Sequence, residues 1–115
     1  MPDRPADFLP LKPAWFHILL SLAEEHAHGY AIRQAVKSRT GGRLELWPAT
    51  LYGSIAELEE AKLIEEWQPK KPQDDLTRRF YRLTPRGRRV LAAEADRLDS
   101  LVRLARAAAG GKRTP

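Results

Sequence analysis

The stretch LWPATLYGSIAELEEAKLI, residues 46–64, decides how the rest of the chain is read. Pro48 suits the first residue of a helix, because its missing N–H costs nothing there and its fixed φ is already helical. Leu51, Ile55, Leu58 and Lys62 then recur at helical spacing, which turns one stripe toward a core. At about 100° per residue, Ala49, Gly53 and Ala56 project on the opposite side, flanked by Thr50 and Tyr52. Glycine inside a helix costs about 1 kcal/mol relative to alanine. Gly53 therefore speaks for close approach of another surface to this side, although an ordinary surface helix with one poor helix former is equally compatible with these residues alone.

Working outward, residues 1–12 carry three prolines and little periodicity, and are expected to form a flexible arm. A first helix is expected from Pro13 or Ala14 to about Glu25. Trp15, Ile18, Leu19 and Leu22 make one stripe on it, and Phe16 and Leu20 widen the stripe almost all round. Such a helix is buried on two sides, one against its own core and one against a second chain. A second helix is expected from the His26-Ala27-His28-Gly29 break to about Arg39, burying Ile32, Ala35 and Val36. Thr40-Gly41-Gly42 offers glycine for its left-handed C-terminal cap, and Arg43–Leu46 alternates briefly, as a short strand would.

On the other side of the central helix, Ile64–Pro69 reads as a strand and Lys70–Asp75 as a polar loop of turn-forming residues. Arg78–Leu83 reads as the returning strand. Thr84-Pro85 opens the last helix as N-cap and first helical residue. Leu91, Ala95, Leu98, Val102 and Ala105 form its stripe, with Leu101 beside it. The order is helix, helix, helix, strand, strand, helix. The fold class is mainly α with a small β-hairpin: a winged helix-turn-helix over residues 13–83, a C-terminal dimerisation helix over 84–109, and a disordered tail over 110–115.

Composition narrows the function. The 43% apolar and 30% charged content is that of a globular chain, and 115 residues make a single core. Without cysteine there is neither disulfide nor thiolate chemistry. No apolar run reaches the length of a membrane span and the N-terminus lacks a signal-peptide pattern, so a cytoplasmic location and no membrane partner are expected. The net charge of +5 is unevenly spread, at +1 over residues 1–53, −4 over 54–77 and +8 over 78–115. That asymmetry favours a polyanionic partner. Arg86, Arg88 and Arg89 crowd the first turn of the last helix, the end already positive, so either nearby carboxylates or an external anion must compensate.

Three segments resemble one family. Residues 17–36, with His28-Gly29-Tyr30 in the middle, look like the opening of PadR-type transcriptional regulators. Pro48–Tyr52 followed by Leu58 and Lys62–Ile64 is similar to their central helix, and Arg78–Gly87 to their wing strand and the start of the last helix. The resemblance spans roughly residues 14–106 and points to the compact subgroup with a single C-terminal helix. It implies a dimeric repressor of double-stranded DNA. In a helix-turn-helix the second helix enters the major groove N-terminus first, which places Ala49, Thr50, Tyr52 and Gly53 at the DNA. Thr50 or Ala49 can meet base edges and Tyr52 a phosphate. With no arginine or asparagine on this side, much of the specificity falls to DNA shape.

Lys70, Lys71, Arg78 and Arg79 of the wing are expected to neutralise phosphates. The family pattern carries glycines and basic residues at the wing tip. Asp74-Asp75 stand there instead, which argues against deep insertion into the minor groove. Glu57 and Glu60 on the outward side require the central helix to tilt away from the DNA after its first turns. Dimerisation is expected through Trp15 and Leu19 of the first helix and Leu91, Leu98, Leu101, Val102 and Ala105 of the last, giving a homodimer on a pseudo-palindromic site. Some members are relieved by small aromatic or drug-like effectors, in certain cases near the dimer interface, and Trp15 and Phe16 could line such a pocket. His26 and His28, with His17 or Glu24, make a poor metal site. Gly41-Gly42 lacks the context of a nucleotide loop. No nucleophile–base pair stands out, so neither an enzyme nor a cofactor is expected. The alternative function is a winged-helix module for protein–protein contact, kept open by the acidic wing tip and the glutamates of the central helix.

Overall fold

In the computed structural model, residues 4–68 and 79–110 are described. Four α-helices, α1 (Pro13–Glu24), α2 (Gly29–Arg39), α3 (Pro48–Glu60) and α4 (Pro85–Ala109), surround one core, with strands β1 (Ala27–His28), β2 (Ile64–Trp67) and β3 (Phe80–Leu83). The strands form an antiparallel sheet in the order β1-β3-β2. Ile64 pairs with Leu83 and Trp67 with Phe80, while Ala27 pairs with Tyr81 and His28 with Phe80. The chain is thus a winged helix-turn-helix with a long helix appended. The expected strand at Arg43–Leu46 is not formed. The third strand comes instead from the turn before α2. Residues 43–46 are held as a loop, in which the Thr40 hydroxyl accepts the Leu44 N–H at 3.0 Å.

The apolar stripes meet as their spacing requires. Ile18, Leu19 and Leu22 of α1, Ile32 and Val36 of α2, and Leu51, Ile55 and Leu58 of α3 are buried together with Leu46, Leu63, Ile64, Tyr81, Leu83 and Val90. Lys62 does not belong to that stripe. It is exposed and left-handed, at φ 66°, two residues beyond the end of α3. The Leu63 N–H reaches the Leu58 carbonyl and the Lys62 N–H the Glu59 carbonyl, the paired bonds of a Schellman ending.

Thr84 then starts α4. Its hydroxyl accepts the Gly87 N–H at 2.9 Å and donates to the Lys62 carbonyl at 2.8 Å, so one side chain caps α4 and ties it to the end of α3. A Cβ at Gly87 would overlap the Leu63 carbonyl oxygen, and only glycine permits this approach.

The N-terminal segment is not a free arm over its described part. Pro5–Phe8 forms a 3-10 turn, Phe8 and Leu9 pack on the core, and Leu11 is buried. The Leu11 N–H donates to the Glu94 carboxylate at 2.9 Å, and the Arg86 guanidinium stands 5.6 Å from the centre of the Phe8 ring. Extended backbone with apolar side chains has found a groove beside α4, which bears the acceptor it needs.

Candidate nucleic-acid interface

The outward side of α3 is built by the same spacing that buries its inner side. Ala49, Thr50, Tyr52, Gly53 and Ala56 are all exposed while Leu51, Ser54, Ile55 and Leu58 are buried. Among the described residues a Cβ at Gly53 would meet nothing within 4 Å, so no contact with them requires glycine there. Tyr52 is half exposed and lies against the start of α2, where a Cβ on Gly29 would stand 2.7 Å from its hydroxyl oxygen. Gly29 is thus what lets the ring settle at the junction of the two helices. Just before it, His28 caps α2, its Nδ1 accepting the Ala31 N–H at 3.2 Å.

The carboxylates behind this edge are partly engaged. Glu57 accepts the Trp15 indole N–H at 3.1 Å and lies 3.9 Å from the Lys12 ammonium. Glu59 is pushed up by burial and then by the nearby Glu66 carboxylate. At the wing, Arg79 is exposed and 3.5 Å from Glu66, and Arg82 bonds Glu65 at 2.7 Å. Exposed pairs of this kind contribute little and exchange readily for another anion. Lys70, Lys71 and Arg78, like Asp74-Asp75, lie outside the described residues.

The histidines do not gather around a metal. His26 stacks on Trp67 with ring centres 3.9 Å apart, and His17 lies beside Arg39, where burial and then that positive charge hold its imidazole below its ordinary value. Among the described residues no group of three His, Asp or Glu side chains converges.

The residues expected at a dimer interface divide. Leu19 is fully buried within its own chain and presents nothing to a second one, because the core takes both apolar sides of α1 at that level. Trp15 is half-buried and hydrogen-bonded. On α4, the side bearing Gly87, Val90 and Glu94 is covered by the domain. The same side continues past Leu98 as Leu101, Val102 and Ala105, which are exposed. Leu91 and Leu98 are half-buried, and Leu104 is exposed further round the helix.

Two features were missed from the sequence. Glu94 is buried inside the α4 stripe, bonded to Leu11 and to Arg97. Trp47 occupies the N-cap of α3 and is 62% exposed. The available signal was a tryptophan directly before Pro48, where a short polar cap is the usual choice.

Residues 18–93 match the sequence model of the transcriptional regulator PadR-like family. The chain belongs to that family. Among curated relatives, Transcriptional regulator Rv3488 of Mycobacterium tuberculosis is 37% identical over 87 residues that cover 76% of this chain and 77% of the relative. An uncharacterized 37.1 kDa protein in transposon TN4556 of Streptomyces fradiae is 38% identical over 84 residues, 73% of this chain but only 22% of that protein. The chain therefore spans about a fifth of one curated relative and about three quarters of the other. Among solved structures, a PadR-like transcription factor from Bacteroides fragilis superposes with a TM-score of 0.68 at 25% identity, over 83% of this chain and 88% of that one. PadR-like proteins are transcriptional regulators and not enzymes. Among the described residues no helix is long and apolar enough to cross a membrane.

Proposed function

We propose that this PadR-like regulator is a homodimeric repressor that binds a pseudo-palindromic site in duplex DNA, with α3 in the major groove and the wing along the backbone. The observation that carries the reading is the open N-terminal edge of α3, where Ala49, Thr50, Tyr52 and Gly53 are exposed together and no contact among the described residues calls for glycine at 53. A helix with so little bulk on its leading edge can come close to base edges. Thr50 meets a base or phosphate, Tyr52 donates to a phosphate, and Lys70, Lys71, Arg78 and Arg79 neutralise the flanking strand. Trp15, Leu91, Leu98, Leu101, Val102 and Ala105 pair the two copies, and Leu104 joins them. The reading includes a small aromatic or drug-like effector near the dimer interface, in a pocket lined by Trp15 and Phe16.

The test is selection of a randomised duplex library by the purified protein at two salt concentrations. A recurring inverted repeat retained at the higher salt is the expected result. Recovery without sequence preference that vanishes as salt rises would leave only charge-driven binding. No recovery at either salt would sink the DNA reading in favour of a protein-binding winged helix.

A further inference from the structure

Among the described residues, Trp47 takes no part in the hydrophobic core. It stands at the N-cap of α3 without a capping hydrogen bond, in a place where short polar side chains normally satisfy the first amides. Its ring is mostly exposed, and among the described residues its indole N–H has no hydrogen-bond partner. The ring does have a fixed support. The Arg33 guanidinium lies 5.0 Å from its centre. Arg33 is itself held by Glu45 at 2.9 Å, and Lys37 reaches the other Glu45 oxygen at 3.6 Å. Arg33 and Glu45 are largely buried, so the platform is firmer than an ordinary surface pair.

A supported ring with an open face and an unused donor suits a partner that is apolar in one part and an acceptor in the next. A deoxyribose–phosphate strand has that character. The local charge agrees, since Glu45 in the loop from α2 to α3 faces both Arg33 and Lys37 of α2, and the same loop adds Arg43. The position agrees as well. Trp47 immediately precedes Pro48, and Ala49 and Thr50 form the leading edge of α3. A side chain at that point borders the groove which the helix enters.

We infer that Trp47, stacked on Arg33, is an additional backbone contact, its ring against a deoxyribose and its indole N–H donating to a phosphate oxygen. The inference rests on the DNA-binding reading and adds to it a sequence-independent anchor.

The test compares the parent with Trp47→Phe, which keeps an aromatic ring and removes the donor. Binding is measured on a duplex recovered from the library and on an unrelated duplex of equal length, at two salt concentrations. A further set of duplexes carries single uncharged methylphosphonates. The variant is expected to bind both duplexes about tenfold more weakly, with the parent's melting temperature and an unchanged salt slope, since no charge is lost. One methylphosphonate position that weakens the parent should leave the variant no weaker. Equal affinity, a loss confined to the selected duplex, or additive effects at every methylphosphonate would each overturn the contact while the DNA reading stands. A parent that binds no duplex overturns both together.

Discussion

The Tyr52 ring rests on Gly29 so closely that a Cβ on Gly29 would stand 2.7 Å from the tyrosine hydroxyl oxygen and 2.9 Å from a ring carbon. The first turn of α2 thereby sets the position of a side chain on the exposed edge of α3. Gly29→Ala is expected to push the outer end of Tyr52 away at small cost in stability, because the ring end is exposed and can swing. DNA affinity should fall about tenfold, as in Tyr52→Phe, since each loses one charge-assisted hydrogen bond. Combining the two changes should cost little more than either alone. Fully additive losses would show that Gly29 does not act through Tyr52.

Gly53 separates stability from function. It lies in the interior of α3 with open space where a Cβ would go. Gly53→Ala is therefore expected to stabilise the fold by about 1 kcal/mol through helix propensity, read as a raised urea midpoint. The same methyl would intrude between α3 and the groove and weaken DNA binding. A variant that is more stable and binds equally well would remove the case for close approach at this position.

Glu94 links the N-terminal segment to α4. The Arg97 hydrogen bond, helped by the Leu11 N–H and opposed by burial, holds its carboxyl below the usual carboxylate range. A pKa lower in the folded than in the unfolded state gives stability that is complete above the unfolded value and disappears as pH falls through the folded one. Glu94→Gln keeps an acceptor for Leu11 but not the charge for Arg97. It is expected to cost about 1–2 kcal/mol at neutral pH, to flatten the acid end of the stability profile, and to expose the bond after Phe8 to chymotrypsin. An unchanged acid profile would assign the parent's acid sensitivity to other carboxylates.

How far the sequence reveals this arrangement depends on the range of the interaction. Leu51, Ile55 and Leu58 declare a buried stripe, and Thr84-Pro85 a helix start, because both patterns lie within one or two turns. Ala27–His28 is too short to alternate, and only Phe80 and Tyr81 across the sheet make it a strand. Leu19 sits on a helix apolar nearly all round, and periodicity cannot say which side the chain itself covers. Glu94 reads as solvent-facing until Leu11, 83 residues away, supplies the N–H that makes its burial acceptable. Tyr52 and Gly53 are legible as an outward edge of α3, which the structure leaves exposed, but the support of Tyr52 by Gly29 is not.

Lys62 offers a test of backbone cost alone. Its spacing from Leu58 suggested one more buried turn, yet it takes the left-handed position that ends α3, at φ 66°. A residue with a Cβ loses roughly 1 kcal/mol there. Lys62→Gly is expected to recover about that amount despite a more flexible unfolded chain, leaving the Thr84 bond to the residue 62 carbonyl in place. Stability unchanged or lowered would mean that the lysine side chain compensates for its backbone.

The far half of α4 carries the strongest claim about assembly. The helix is 25 residues long, about 37 Å at 1.5 Å per residue. The domain covers its apolar side only as far as Glu94 and, in part, Leu98; Leu101 and Val102 remain 47% and 43% exposed. A solvated helix would not keep leucine, valine and alanine in register with its own buried side for two further turns. Leu101→Glu with Val102→Glu is therefore expected to yield a folded monomer in sedimentation equilibrium, because neither residue supports the core. Its affinity for an inverted repeat should drop to that for a single half-site, which a merely destabilised dimer regaining affinity at high protein concentration would not reproduce. A double variant that remains dimeric would place the interface elsewhere and leave this stripe for a different partner.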